Sequence, residues 1–222
     1  MSMSECCKTG FSWGGKPVGT ETTLAKNNVS VNGTPKSVAV LIVHDIFGWT
    51  FENLRLLAGH FAKEVYATVY RASNGPYYAL TVYLPDFFDD EVVGTDVFNN
   101  SEKRAEFDLM GFTNRHGKDV RFPEIKASAK ALKSRLLENN EIGGLKVPVQ
   151  ILSPETDPAY ISELKEYPKK VIPTLGILYE YVYFPGFAHG FATRGAQNDT
   201  KQKNGLERAK KSAVNFFNEF MH

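Results

Sequence analysis

Apolar positions along this chain follow two rhythms. Apolar, β-rich runs occupy residues 38–43, 81–84, 147–152 and 178–184. All four predict strands, and the first, continuous rather than alternating, predicts a central strand of a parallel sheet. Between them apolar residues recur every three or four positions. Leu54, Leu57, Ala58 and Phe61 mark a helix over 53–63; Ala127, Ala131, Leu132 and Leu136 mark one over 122–138, opened by Pro123. A helix beginning at Ser162 is expected to be interrupted by Pro168. Ala209, Ala213, Phe216, Phe217 and Phe220 form the inward stripe of a last helix over 206–221. Strands alternating with helices predict an α/β sandwich around a mostly parallel central sheet. No internal repeat is visible, and the expected organisation is a single domain over 1–222. Its N-terminal segment (1–37) lacks the rhythm of the α/β core (38–222).

Composition narrows the function classes more than it selects one. With 222 residues and a formal charge of +1, the chain has no bulk attraction for nucleic acid or anionic lipid. No apolar run approaches the roughly 18 residues of a membrane span. The start Met1-Ser2-Met3-Ser4-Glu5-Cys6-Cys7 has no secretory character. The two cysteines, Cys6 and Cys7, are adjacent, giving neither a disulfide framework nor a spaced ligand set. A reducing, cytoplasmic location without metal or cofactor is the expectation.

The chemistry concentrates after the later strands. Asp157 lies just past the run at 147–152, and His189 follows Phe184-Pro185-Gly186-Phe187-Ala188. In a parallel sheet both reach the carboxyl edge, where open α/β folds place their sites. Asp followed by His in the chain is the α/β-hydrolase order. An Asp accepting one imidazole N–H fixes the tautomer, so the other nitrogen can take a proton. The competing reading is a turn Asp before Pro158 and an incidental loop His.

The surrounding motifs resemble the dienelactone hydrolase family, in its fungal branch. They are Cys6-Cys7, Gly10-Phe11, Gly15-Lys16-Pro17-Val18-Gly19, His44-Asp45-Ile46-Phe47-Gly48, Tyr83-Leu84-Pro85-Asp86-Phe87-Phe88 and Arg115-His116-Gly117. Val147-Pro148-Val149-Gln150-Ile151-Leu152, Asp157-Pro158, Phe184-Pro185-Gly186 and the stretch His189 to Gly195 complete the series. The resemblance implies a hydrolase cleaving an ester or lactone of a small molecule, with a Cys or Ser nucleophile, Asp157 as orienter and His189 as base. It also implies that the Ile46 N–H serves an oxyanion hole and that an acid at Asp45 interacts with the resting thiol. Arg194 lies one residue beyond the place where some relatives hold a substrate carboxylate, and a structural ion pair is the stronger expectation for it.

Two departures qualify this. The family carries its nucleophile on an elbow between the helix ending near Leu137 and the strand starting at Val147. Residues 138–146 offer only nine positions there, whereas a strand, elbow, helix and return strand need about 30. The nucleophile segment is expected to be missing. Residues 71–80 read as an insertion, flanked by Thr68-Val69-Tyr70 and Thr81-Val82-Tyr83. A surface loop accounts for it; a transcript retaining one intron and skipping one exon would account for both departures.

Other candidates carry less. Gly10-Phe11-Ser12-Trp13-Gly14 spells G-x-S-x-G, but no strand is predicted before Ser12 and no helix after it, so Ser12 is disfavoured as nucleophile. Cys6 and Cys7 are expected to pack locally or stay free. Arg115 and His116 are expected to serve solvent contacts or capping, and Asp86, Asp89, Asp90 and Glu91 to form a solvated loop. The alternative to an esterase or lactonase is an inactive relative that binds a ligand or partner. A third outcome is a chain destabilised by exposed sheet edges.

Overall fold

A computed structural model describes residues 11–33, 39–65, 81–132, 147–157, 160 and 162–220. The short interval 138–146, the insertion 71–80, and Cys6 and Cys7 lie outside the described residues. The chain divides near residue 136 into two compact units.

In the first unit, strands β1 (Thr20–Leu24) and β2 (Asn27–Asn32) form an antiparallel hairpin that the sequence pattern did not predict. Strand β3 (Ala39–Leu41) leads into helix α1 (Glu52–Glu64), and strand β4 (Thr81–Pro85) follows. The sheet order is β1-β2-β4-β3, antiparallel up to β4 and parallel between β3 and β4. Val82 and Leu84 are fully enclosed, as is Val29 on β2. Helix α1 buries Leu54, Leu57, Ala58 and Phe61, the stripe expected from their spacing, with Leu54 packed among Trp49 and Leu84. Each buried Leu or Phe here contributes about 1.5–3 kcal/mol, so this face determines where the β3–α1 loop lies.

Four further helices follow: α2 (Thr95–Asn99), α3 (Ser101–Glu106), α4 (Leu109–Arg115) and α5 (Lys118–Ala131). Asn100 caps α3 through hydrogen bonds from the Glu102 and Lys103 amides, and Asp108 caps α4 through the Gly111 amide. Helix α5 begins four residues before the expected start, which puts Pro123 inside it. Asp119, whose carbonyl Pro123 cannot bond, is exposed, so water can take that carbonyl.

The second unit holds β5 (Val149–Thr156), α6 (Ser162–Val171), a 3-10 turn (Ile172–Leu175), β6 (Tyr179–Ala188), α7 (Phe191–Arg194) and α8 (Thr200–Phe220). Strands β5 and β6 are parallel neighbours. Pro168 does not interrupt α6: Leu164, one turn earlier, is half exposed, and the freed carbonyl again has access to water. Phe184, Phe191 and Ala209 form this unit's core, with Leu152, Val182 and Phe187 against it. Helix α8 starts six residues earlier than expected and buries Gly205, Leu206 and Ala209 most deeply. No described helix is long and apolar enough to cross a membrane.

Candidate active site

The two strands of the second unit bring Asp157 and His189 together. From Val149 opposite Tyr179 to Pro154 opposite Phe184 the ladder is regular. The next matched pair is Thr156 with Ala188, so Glu155 alone faces Pro185, Gly186 and Phe187. The Pro-Gly pair is therefore a bulge inside β6 rather than a turn that ends it. Beyond it each strand has one step to its functional residue. The His189 amide donates to the Thr156 carbonyl at 2.8 Å, and Asp157 Oδ1 lies 3.0 Å from His189 Nδ1.

This geometry sets the imidazole's protonation pattern. A carboxylate only accepts, so Nδ1 carries the hydrogen, and in the neutral ring the lone pair is then on Nε2. Nε2 makes no hydrogen bond with a described residue. The Asp157 side chain is 11% exposed and that of His189 33%, so the orienting oxygen is sheltered while the ring reaches solvent. The Tyr160 amide also donates to Asp157 Oδ1, at 3.2 Å. Helix α7 follows directly, and its Phe191 ring lies 4.7 Å from Phe184 and 5.1 Å from Phe187. Arg194 is buried, its guanidinium folded against Gly190, rather than extended into solvent.

In the first unit, Asp45 and Ile46 sit in the β3–α1 loop. The Gly48 amide bonds the Asp45 carbonyl at 3.0 Å, closing a turn, and Asp45 Oδ1 accepts from the Phe47 amide at 3.2 Å. Ile46 is half-buried; its carbonyl accepts from the Val93 amide, while its own amide makes no hydrogen bond with a described residue. His44 is buried; Nε2 accepts from the Phe87 amide and Nδ1 donates to the Asp45 carbonyl. Burial pushes its pKa down, against the raising effects of the Asp45 carbonyl and the Asp86 and Asp45 charges. A neutral His44 is thus a structural bracket beneath the loop.

Ser12 lies in coil that continues to β1, not before the helix that an elbow requires. Its hydroxyl donates to Glu52 Oε2 at 2.6 Å. Asn53, fully buried, holds the flanking backbone by accepting from the Trp13 amide at 2.7 Å and donating to the Phe11 carbonyl at 2.6 Å.

The acidic stretch after β4 differs from the solvated loop expected of it. Asp86 is buried and organises the turn by accepting from the Phe88 and Asp90 amides. Glu91 binds Arg115 through two hydrogen bonds and His116 Nε2 at 2.7 Å, and Arg115 foremost holds its pKa down to about 2. Arg121 bonds Asp89, Glu124 and His116 Nδ1. Arg115 and His116 therefore anchor α4 and α5 to the loop, a role that spacing alone did not reveal. Among the described residues no group of three His, Cys, Asp or Glu side chains is placed to hold a metal.

Known proteins bear on this arrangement. The dienelactone hydrolase family model matches residues 116–221, a span containing β5, β6, Asp157 and His189. Over that span the chain is similar to the dienelactone hydrolases. The hydrolase tropI of Talaromyces stipitatus is 24% identical over 263 residues, covering 97% of this chain and 96% of that protein. The hydrolase pyvD of Aspergillus violaceofuscus is 22% identical, covering 98% and 97%. Among solved structures, a Klebsiella pneumoniae protein assigned to the dienelactone hydrolases superposes with a TM-score of 0.56 at 13% identity, over 86% of this chain and 96% of that one. A dienelactone hydrolase-like promiscuous phosphotriesterase from metagenomic libraries gives 0.52 at 12% identity, over 91% and 98%. These likenesses establish the α/β fold expected from the strand and helix pattern.

Proposed function

We propose that this chain is a hydrolase that cleaves an ester or lactone of a small molecule, with His189 as base and Asp157 as its orienter. The observation that carries the proposal is the 3.0 Å contact between Asp157 Oδ1 and His189 Nδ1 at the carboxyl ends of adjacent parallel strands. His189 Nε2 takes a proton from a nucleophilic hydroxyl or thiol as that group attacks the acyl carbon. The resulting imidazolium, stabilised by Asp157, gives its proton to the departing alcohol oxygen. Water, activated by the same nitrogen, then attacks the acyl group, releasing the acid and the nucleophile. No residue of this chain is assigned as the nucleophile. Both fungal relatives named above are hydrolases, in keeping with the reading.

An inactive relative that binds a ligand is the second reading, favoured by the nine-residue interval at 138–146. The alignment with tropI runs over 263 residues against a chain of 222, so that relative carries stretches without counterpart here. Hydrolysis of 4-nitrophenyl acetate separates the readings. Activity should vanish in His189→Ala, fall by up to about 10⁴-fold in Asp157→Asn, and persist in Ser12→Ala. Full activity in His189→Ala would remove the base assignment, and loss in Ser12→Ala would make Ser12 the nucleophile. A cooperatively melting but inactive protein would favour the binding reading.

A further inference from the structure

The bulge in β6 does more than interrupt a ladder. If the register of Pro154 with Phe184 continued one to one, Asp157 would stand opposite Phe187. Because Glu155 faces three residues, the register advances by two and Asp157 meets His189. A shift of two preserves the face of each side chain, since strand residues alternate with period two. The cost falls on the backbone: bulged residues leave ladder partners, and each freed amide or carbonyl needs another.

Side chains meet that need at this place. Glu155 Oε2 accepts from the Gly186 amide at 2.5 Å, binding the middle of the bulge back to β5. Lys165, from α6, donates its ammonium to the Pro154 carbonyl at 2.8 Å and the Glu155 carbonyl at 2.7 Å. Gly186 has φ +73, a conformation that side-chain-bearing residues rarely adopt. A glutamate amide bond, a lysine clamp and a left-handed glycine thus converge on the residues that set the Asp157–His189 register.

We propose that Glu155 is a positioning residue: its hydrogen bond to Gly186 fixes the bulge and thereby holds His189 beside Asp157. The proposal rests on reading His189 and Asp157 as base and orienter, but its test reads geometry rather than hydrolysis. Charged groups around the loop are Glu155 from β5, Asp157 just past it, Lys165 from α6, Arg194 from α7, and Lys201 and Arg208 from α8. A pure charge effect of Glu155 must therefore be separated from its hydrogen bond.

The experiment is ¹H–¹⁵N NMR of the full chain with labelled histidine. It observes the His189 Nδ1–H resonance, assigned by its loss in His189→Ala. Glu155→Gln keeps an acceptor for the Gly186 amide without the charge and should retain the resonance. Glu155→Ala and Glu155→Asp should lose it, the latter because a chain shorter by one methylene withdraws its carboxylate. The His44 and His116 ring N–H signals should be unchanged throughout. In ester hydrolysis the same two variants should lose up to about 10²-fold in kcat with little change in KM, the scale of an ångström-level misplacement.

Retention of the resonance in Glu155→Ala or Glu155→Asp overturns the proposal. Equal loss in Glu155→Gln and Glu155→Ala, with retention in Glu155→Asp, overturns it in favour of charge. If Glu155→Ala does not fold, Glu155→Asp against Glu155→Gln decides alone. A resonance present in an inactive wild-type chain would overturn only the hydrolase reading. Its absence from the wild-type chain would remove the Asp157–His189 pair and this proposal together.

Discussion

Replacing Asn53 with Ala tests whether the segment containing Ser12 is docked as the structure describes. Asn53 is fully buried, and its bonds to the Trp13 amide and the Phe11 carbonyl span a sequence separation of about 40 residues. The two losses are unequal. Trp13 is buried, so its orphaned amide would keep a desolvation cost of about 1–3 kcal/mol. Phe11 is 45% exposed, so water can reach its carbonyl and that loss should stay below about 1 kcal/mol. Alanine's better helix propensity returns about 0.5 kcal/mol. The net expectation is destabilisation of about 2 kcal/mol, or about 4–8 °C in Tm for a chain of this length. The two tryptophans of the chain, Trp13 and Trp49, are both buried in the first unit. Urea unfolding followed by tryptophan fluorescence therefore reports on the affected unit directly. An unfolding free energy within about 0.5 kcal/mol of the parent protein, the range of a neutral surface change, would refute the docking.

Three further outcomes are expected. In Gly205→Ala the new methyl would stand 2.1 Å from Phe187 Cε1, and the ring is held by Phe184 and Phe191. Overpacking of about 1–3 kcal/mol should exceed the roughly 1 kcal/mol gained in helix propensity; a raised Tm would contradict this. Arg121→Met takes the donor from the buried His116 Nδ1 and the bond from Asp89, whose side chain is 67% exposed, with Lys26 still beside Glu124; the unsatisfied imidazole nitrogen should cost about 1–3 kcal/mol in urea unfolding, and no change would show the network to be energetically idle. His44 has a folded-state pKa below its unfolded value because burial disfavours the charged ring. Its contribution to stability is complete above about pH 6.5 and is lost as the pH falls below that value, where the unfolded chain takes up a proton the folded site refuses. Urea midpoints at pH 7.5 and 5 should differ less in His44→Gln than in the parent; an equal difference would remove His44 as the cause.

The strands and helices that could be read from the sequence were those whose apolar residues alone carry the pattern. Leu54, Leu57, Ala58 and Phe61 announce α1, and the apolar run before Asp157 announces β5. The β1–β2 hairpin was hidden because Asn27, Ser30 and Asn32 occupy buried positions of β2, so no hydrophobic alternation marks it. Pro123 and Pro168 misled for a different reason: a proline's effect depends on where the freed carbonyl points, and exposure is a tertiary property. At the candidate site, chain order and strand ends sufficed to pair Asp157 with His189. Glu155 and Lys165 carried no such mark, because their partners are backbone groups that only a bulge leaves available. Likewise the pairing of Glu91 with Arg115 and His116 spans more than twenty residues and follows from how α4 meets the loop after β4.

The contact between Phe187 and Gly205 also imposes an order in time. The loop bearing His189 is synthesised before α8, whose Gly205 receives the Phe187 ring, whose Lys201 ammonium lies 5.5 Å over it, and whose Arg208 covers Phe184 at 4.3 Å. Chains emerge N-terminus first, at about 5–20 residues per second. On a nascent chain the base loop therefore spends its first seconds without the surface that holds it. Any ribosomal pause before residue 200 would lengthen that interval, leaving Phe184, Phe187 and Phe191 exposed to chaperones or to one another.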